Sequence, residues 1–285
     1  MSSLAPASTL PQANHVQGIT YAKPADGTAV NVDSVREIVK GIVPHAKDVA
    51  AEAIEIRVVV GGITNALFKA TFTGPGDEPL PAVLVRVFGG EGMIDRDLEN
   101  ATFVALSDSG VGPQYYGRFG VGHGSGSGRV EGWIDGAKDL TLAQMAAPEV
   151  MVKVASEMAK LHRYVLPAPL QPYYSKPGMW SQLWSWFEQA KRDCAGGNTI
   201  IQDKWGADVA ARWGPIQDEL VGADFSKAES ALKDLQASIP SNAMTVFAHN
   251  DLLAGNIMLH EETGKIHLID FEYGGCNFRG FDIGE

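Results

Sequence analysis

The first third of the chain combines one helical pattern with several strand patterns. Apolar residues at helical spacing predict a helix whose buried face holds Val35, Ile38, Val39 and Ile42. Strand periodicity follows at residues 54–60, 66–72 and 83–88. A second helix is predicted over residues 94–106, with Asp95 and Asp97 in its first turn, where the helix dipole favours negative charge.

A glycine-rich stretch occupies residues 120–128, with the sequence Gly-Val-Gly-His-Gly-Ser-Gly-Ser-Gly. It lacks the Lys-Ser/Thr ending of a phosphate-binding P-loop, and it does not match the G-x-G-x-x-G motif of dinucleotide-binding proteins. We therefore interpret this stretch as the flexible tip of a hairpin between strands at residues 114–119 and 129–134.

The second half of the chain is mostly helical before it returns to short strands. One helix ends at His162, and its apolar face consists of Val150, Val154, Met158 and Leu161. The next helix carries a stripe that we interpret as core packing, formed by Trp180, Leu183, Trp184 and Phe187. Residues 200–240 are predicted to be helical and solvated. Strands are then predicted at residues 245–248, 257–259 and 266–269.

These patterns predict an α+β fold with two lobes. A disordered leader over residues 1–30 is expected to precede a β-rich N-terminal lobe at 31–132 and a mostly helical C-terminal lobe at 133–285. No window approaches the roughly 18 consecutive apolar residues of a transmembrane helix, so membrane insertion is not expected. The N-terminal segment also lacks the basic start and apolar core of a signal peptide.

Composition and charge narrow the classes of function. The chain has 23 basic and 34 acidic residues, a net charge of −11, which argues against a nucleic-acid binder because a phosphate backbone requires a basic face. Cys194 and Cys276 lie far apart without metal-ligand spacing, which indicates free thiols in a reducing, cytoplasmic compartment. The acidic balance is compatible with a small cationic ligand.

The strongest chemical signal is the segment His249-Asn250-Asp251-Leu252-Leu253-Ala254-Gly255-Asn256, followed later by Asp270-Phe271-Glu272. Asp251 and Asn256 stand five residues apart in a loop, and Asp270 ends the strand that a hairpin would place alongside. Two carboxylates and an amide are thus expected to converge. Phosphoryl transfer requires such a set, because one carboxylate orients the attacking hydroxyl while an amide and a second carboxylate hold Mg²⁺.

Supporting residues stand upstream in the order that a kinase requires. Arg86 on a strand and Glu99 on the following helix correspond to a phosphate-binding cation and its acidic partner. Between two strands, the segment Gly61-Gly62-Ile63-Thr64-Asn65 offers backbone N–H groups and polar side chains to phosphate, although an ordinary hairpin turn has the same composition. Trp133 and Ile134 are candidates to flank an adenine, although a core strand predicts the same residues.

Together these motifs resemble the choline/ethanolamine kinase family, and most closely its ethanolamine kinase branch. Similarity spans roughly residues 35–285 and is most specific from Asp251 to Gly284. Besides the segments already quoted, it rests on Val83–Gly89, Ile94–Asp97, Ala159–His162 and Leu268–Gly284. The resemblance implies a protein-kinase-like bilobal fold and transfer of the γ-phosphate of ATP, with Mg²⁺, to the hydroxyl of a small cationic amino alcohol.

The resemblance also implies residue roles. Asp251 would be the catalytic base, and Asn256 and Asp270 the catalytic metal ligands. Arg86 would hold phosphates and be fixed by Glu99. The other expected nucleotide-binding residues are Gly61, Gly62, Thr64 and Asn65 in the loop over the reacting groups, and Glu131, Trp133 and Ile134 on the adenine side.

Three residues are expected to bind the amino alcohol, namely Glu272, Tyr273 and Asp282. A primary ammonium requires hydrogen-bond acceptors in three directions, whereas a trimethylammonium has no N–H group and favours aromatic faces. Asp282 has an equally supported alternative role as an anchor of the catalytic loop. Leu253 resembles the ethanolamine branch, since choline kinases tend to have Gln at this position.

The substrate and the completeness of the chain leave alternatives open. Ethanolamine phosphorylation, on the route to phosphatidylethanolamine, is the leading interpretation. Choline kinase and an aminoglycoside-type kinase are its alternatives among enzymes. The end at Gly284-Glu285 lacks the acidic and aromatic stretch with which the family continues, so a fragment of a longer chain, or a shortened form that does not catalyse transfer, also fits. No feature of the sequence predicts an oligomer.

Overall fold

The computed structural model of the chain describes residues 15–21, 31–60, 65–89, 95–121, 126–196, 208, 211–212 and 224–284. A six-stranded sheet forms its N-terminal part, with the strand order β1-β5-β6-β4-β3-β2. The strands are β1 His15–Tyr21, β2 Ile54–Val59, β3 Asn65–Thr73, β4 Pro79–Phe88, β5 Tyr115–Val121 and β6 Gly126–Gly132. Neighbouring strands are antiparallel, except that β1 runs parallel to β5.

Two helices accompany this sheet, α1 (Val32–Ile42) and α2 (Arg96–Asp108). The predicted apolar face of α1 is buried in one core with the alternating valines of β4, because both elements place their apolar residues on the side that faces the other. Asp95 precedes α2 as its N-cap, since its Oδ1 accepts hydrogen bonds from the N–H groups of Asp97 and Leu98, each at 3.1 Å. The two helices predicted in this region are confirmed.

The prediction of a disordered leader over residues 1–30 is wrong for His15–Tyr21, which form β1. Polar and small residues dominate the leader and conceal the strand. Tyr21 nevertheless is buried, and its ring stacks on that of Phe68 at 6.0 Å between centroids. This aromatic contact supplies the apolar burial that a short edge strand requires. The other leader residues, 1–14 and 22–30, lie outside the described residues.

The glycine-rich stretch is part of the predicted hairpin, but its strands are longer than expected. β5 continues through Val121 and β6 begins at Gly126, so only residues 122–125, which lie outside the described residues, separate the two strands. Gly128 pairs with Val87 of β4 at a point of very close approach. A Cβ atom there would lie 2.5 Å from the carbonyl oxygen of Arg86 and closer still to the ring of Phe119. Gly128 is therefore required by packing.

The rest of the chain divides into helices and two small sheets. The helices are α3 Leu142–Met145, α4 Pro148–Leu161, α5 Gly178–Gly196, α6 Ser226–Ser238 and α7 Gly280–Gly284. The strands are β7 Ala137–Asp139, β8 Thr245–Ala248, β9 Ile257–His260, β10 Ile266–Leu268 and β11 Gly275–Phe278. A three-stranded sheet has the order β10-β9-β7, and β8 pairs with β11. The predicted α+β composition and the three C-terminal strands are confirmed.

Contacts along the chain define two compact units. One contains Met1–Tyr173, Phe247–Gly274 and Gly280–Glu285, and the other contains Tyr174–Val246 and Gly275–Arg279. In the second unit, the aromatic stripe of α5 is half-buried, and Phe187 makes edge-to-face contacts with Trp184 and Phe225. Within the described ranges, no helix combines the length and apolar character needed to cross a membrane.

The close approach at Gly128 generates a stability prediction. Gly128→Ala forces a Cβ against the backbone of β4, so we expect the free energy of unfolding to fall by about 1–3 kcal/mol. Gly120→Ala is the matched control in the same hairpin, because its Cβ would meet Thr20 Oγ1 at an ordinary 3.5 Å. Urea unfolding of both variants measures the difference. Equal stability of the two variants would contradict the packing role of Gly128.

Candidate active site

The predicted convergence of Asp251 and Asn256 is present in the loop between β8 and β9. The Asn256 Nδ2 group donates hydrogen bonds to the backbone carbonyl of Asp251 at 2.7 Å and to Asp251 Oδ2 at 2.9 Å. Asn256 thereby closes the loop and fixes the direction of the Asp251 carboxylate. Asn250 has a positive φ of 66°, a left-handed conformation that asparagine tolerates better than most residues.

Asp270 follows β10, which runs antiparallel to β9 and so brings this carboxylate to the same edge as Asn256. The N–H of Ile269 donates to the carbonyl of Asn256 at 3.0 Å, which ties the two loop segments together. Asp270 also has a positive φ, of 61°. Such backbone strain costs on the order of 1–3 kcal/mol and persists where surrounding contacts impose it, commonly at functional sites.

His249 connects both segments, although its motif alone indicated no role for it. Its ring is fully buried, and Nε2–H donates to the carbonyl of Ile269 at 2.8 Å. Burial lowers the pKa of His249, and the hydrogen bond to Ile269 and the nearby carboxylates offset only part of this effect, so the ring is neutral. The signal that was available in the sequence is the position of His249 two residues before Asp251.

Asp282 accepts hydrogen bonds from the segment that precedes Asp251, which favours its alternative role as an anchor of this loop, while its predicted contact with an amino alcohol stays a prediction. Its side chain is fully buried, and Oδ2 accepts hydrogen bonds from the His249 backbone N–H at 2.9 Å and from His162 Nε2 at 2.7 Å. Oδ1 accepts from the N–H of Asn250 at 2.8 Å. Both oxygens of this carboxylate are thus engaged by donors of the protein itself. The anchoring alternative is therefore the one that the structure supports.

Arg86 lies at the candidate site, but its acidic partner is not the predicted one. Its guanidinium contacts Asp270 Oδ1 through Nη1 at 3.2 Å, and Glu131 Oε1 through Nε at 3.3 Å and Nη2 at 3.2 Å. Burial disfavours the charge, but Glu131, Asp270 and Glu99 outweigh it and raise the pKa of Arg86. Glu131, which the sequence places on the adenine side, is a buried ionic partner of Arg86, and its adenine-side role stays a prediction.

Glu99 does not form the predicted direct ion pair with Arg86. Its Oε1 accepts from Arg129 Nη1 at 2.7 Å, and its Oε2 accepts from Arg96 Nη1 at 2.6 Å. Glu131 is closer to Arg86 because it lies on β6, one strand away, whereas Glu99 reaches the sheet from α2 and meets Arg129 first. Sequence order alone does not distinguish Glu99 from Glu131 as the partner of Arg86, because the pairing of β4 with β6 decides which carboxylate reaches it.

Glu272 and Tyr273 lie two and three residues after Asp270, and Glu272 Oε2 contacts Arg96 Nη1 at 3.4 Å. Burial raises the pKa of Glu272, with Asp270 and Glu99 adding to the effect and Arg96 partly opposing it. Burial and then Glu272 and Asp251 raise the pKa of Tyr273, whose side chain remains 41% exposed. The phenol thus stands close to several carboxylates at an accessible position.

The expected nucleotide-binding residues are only partly within the described residues. Asn65 Oδ1 accepts from the N–H of Gly89 at 3.3 Å and so joins the ends of β3 and β4. Trp133 and Ile134 are half-buried after β6, and the Trp133 ring lies 4.5 Å from Lys69 Nζ. Their adenine-side role stays a prediction. Gly61, Gly62 and Thr64 lie outside the described residues.

The donor set at this edge fits Mg²⁺. The Asn256 amide nitrogen is engaged by Asp251, which leaves the amide oxygen as the atom that can face a cation. One Asp270 oxygen contacts Arg86, which leaves the other as a carboxylate oxygen that could face a cation. Magnesium bound to nucleotide phosphates typically uses only one or two protein carboxylates with water, so two protein ligands suffice. Among the described residues there is no cluster of three or more His, Cys, Asp or Glu residues with metal-site geometry.

Comparisons with known proteins identify kinases as relatives of this chain. The sequence model of the family described as choline/ethanolamine kinase matches residues 56–285. Two relatives from Arabidopsis thaliana are a probable ethanolamine kinase, 30% identical, and a probable choline kinase, 28% identical; the alignments cover 95% and 90% of this chain. This chain spans about two thirds of the length of each relative, 67%.

The fold comparison leads to the same group of proteins. The crystal structure of a choline kinase from Cryptosporidium parvum superimposes with a TM-score of 0.61 at 26% identity. The match covers 89% of this chain and 67% of that one. The predicted protein-kinase-like fold is confirmed by this likeness.

The anchoring role of Asp282 predicts a loss of stability that does not depend on any ligand. Asp282→Asn keeps the shape of the side chain but replaces one acceptor oxygen with an N–H donor facing other donors. We expect the free energy of unfolding to fall by about 1–3 kcal/mol. Asp234→Asn on the exposed surface of α6 is the control and should change it by less than about 0.5 kcal/mol. Urea unfolding measures both variants. An unchanged free energy of unfolding in Asp282→Asn would refute the anchoring role of Asp282.

Proposed function

Because the chain belongs to the choline/ethanolamine kinase family, we propose that it transfers the γ-phosphate of ATP to the hydroxyl of ethanolamine. The observation that carries this proposal is the junction of Arg86 with Asp270, next to the Asp251–Asn256 loop. In the proposal, Arg86 is the phosphate-binding cation, Asn256 and Asp270 are the metal ligands and Asp251 is the base. The product, phosphoethanolamine, serves phosphatidylethanolamine synthesis.

Each residue has one role in the proposed transfer. The Asp251 carboxylate orients the substrate hydroxyl and accepts its proton as the oxygen bonds to the γ-phosphorus. The bond from phosphorus to the oxygen that bridges the β- and γ-phosphates breaks, and ADP leaves with that oxygen. Arg86 contacts the phosphates and offsets their negative charge. Asn256 and Asp270 would hold Mg²⁺, which when bound neutralises charge on the phosphates.

The proposed preference for ethanolamine rests on the charge around Tyr273. Burial raises the pKa of this phenol most, and the negative charges of Glu272 and Asp251 raise it further, so two hydrogen-bond acceptors lie in the surroundings of Tyr273. A primary ammonium donates three hydrogen bonds and matches such acceptors, whereas a trimethylammonium cannot donate any. Choline remains the competing substrate, since a choline kinase relative is 28% identical over 90% of this chain.

Substrate competition tests the ethanolamine assignment. With Mg²⁺ and ATP present, we expect kcat/KM for ethanolamine to exceed that for choline by at least about tenfold, or about 1.4 kcal/mol of discrimination. A coupled assay of ADP release measures both substrates under the same conditions. Equal values or a preference for choline would contradict the assignment to ethanolamine and leave kinase activity in place. An absence of turnover with either substrate would contradict the proposed activity of this chain.

Substitution of the proposed base tests the role of Asp251. Asp251→Asn keeps the side-chain shape but cannot accept a proton, so we expect kcat to fall by about 10²–10⁴-fold. The affinity for MgATP should stay nearly unchanged, because Asp251 faces the acceptor hydroxyl. Asp234→Asn removes an exposed carboxylate of α6 and is the control. Wild-type turnover of Asp251→Asn would refute the assigned role.

A further inference from the structure

Three arginines lie directly opposite one another across three neighbouring strands. The strand register pairs Arg86 of β4 with Arg129 of β6, and Arg129 with Arg118 of β5. Directly paired residues project from the same face of a sheet, and like charges in such pairs destabilise it. This row of arginines, Arg86-Arg129-Arg118, therefore requires carboxylates that are placed to compensate it.

The carboxylates are distributed unequally along the row. Arg118 contacts Asp97 at 2.6 Å near the surface. Arg129 is fully buried and bridges two carboxylates, through Nη1 to Glu99 at 2.7 Å and through Nε to Glu131 Oε2 at 2.8 Å. The other oxygen of Glu131 accepts from Arg86. Glu131 is thus shared, with one oxygen for each of two arginines.

We propose that Arg129 is a positioning residue for Arg86, and that it acts through Glu131. By occupying Glu131 Oε2, Arg129 leaves only Oε1 for the Arg86 guanidinium. Arg86 then keeps Nη1 directed at Asp270, at 3.2 Å, where the proposed function requires a phosphate-binding cation. The inference rests on the proposed function only for the claim that Arg86 contacts the phosphates of ATP.

Arg129 is held rigidly enough for this task. Its guanidinium lies 3.9 Å from the ring centroid of Phe103, and it has no exposed surface. Its Nη2 atom has no hydrogen-bond partner among the described residues, so the fork of Nε and Nη1 determines its orientation. Gly128 precedes Arg129 and pairs with Val87 of β4, at a point where only glycine fits. A register shift by one residue would turn Arg129 to the other face of the sheet.

Loss of Arg129 would change the orientation of Arg86 through Glu131. Without Arg129, both oxygens of Glu131 are free to pair with Arg86, and a two-pronged pair is the geometry that guanidinium and carboxylate prefer. Arg86 would then turn towards Glu131 and away from Asp270. Lysine cannot replace Arg129, because a single ammonium does not reproduce a planar fork that contacts Glu131 and Glu99 at once.

A double-mutant cycle on nucleotide affinity tests the inference. Arg129→Lys should weaken the affinity for MgATP, measured by titration calorimetry, by about tenfold, a factor within the range of coupling between residues in contact. In an Arg86→Met background the same substitution should change the affinity by less than about twofold, because its effect passes through Arg86. Arg118→Lys, in the same row but with a different carboxylate partner, is the matched control and should leave the affinity unchanged.

The outcomes separate positioning from a general structural effect. If Arg129→Lys weakens binding equally in both backgrounds, or leaves the wild-type affinity unchanged, the inference is overturned. If Arg129→Lys fails to fold by circular dichroism, Arg129→Gln replaces it, since it also removes the guanidinium fork, with the same expectation of a loss only when Arg86 is present. Because binding needs no turnover, a chain that binds MgATP but phosphorylates no amino alcohol counts against the proposed function alone. A wild-type chain that binds no MgATP overturns both.

Discussion

The buried ionic network of Arg86, Arg129, Glu99 and Glu131 is the constraint on which the site depends. Charges that are removed from water are tolerated only when each is paired and hydrogen-bonded, and the loss of one partner leaves another charge buried without compensation. The pKa of Glu131 is accordingly lowered, since the two arginines outweigh the opposing effect of burial. The network joins β4, β6 and α2, and through Arg86 it reaches Asp270. Ion pairs therefore connect the six-stranded sheet with the segment that carries Asp270.

A second set of hydrogen bonds fixes the two loops that carry Asp251 and Asp270. His249 bonds the carbonyl before Asp270, and Asp282 accepts the backbone N–H groups of His249 and Asn250. These bonds impose the left-handed conformations on both sides of the site, at Asn250 and Asp270. Neither His249 nor Asp282 has an exposed polar atom to offer a substrate, so their contribution is to position the loops that carry Asp251 and Asn256.

The sequence predicted most elements because their periodicity is local. The buried face of α1, the alternation in β4 and the convergence of Asp251 and Asn256 follow from spacing alone. Partner choice is not local. Glu99 and Glu131 are both acidic residues near Arg86, and only the pairing of β4 with β6 decides between them. The strand at His15–Tyr21 was missed for a similar reason, since its stability comes from the distant Phe68 rather than from its own composition.

We propose that Arg86, held by Glu131 and Arg129, presents its charge to the phosphates of a nucleotide beside Asp270. A crystal structure with Mg²⁺ and a non-hydrolysable ATP analogue tests it most directly. We expect that Arg86 keeps its contact with Glu131 while a phosphate oxygen lies within hydrogen-bond distance of its guanidinium, with the metal on Asn256 and Asp270. Phosphates bound away from Arg86, or an Arg86 that pairs with Glu99 in place of Glu131, would contradict it.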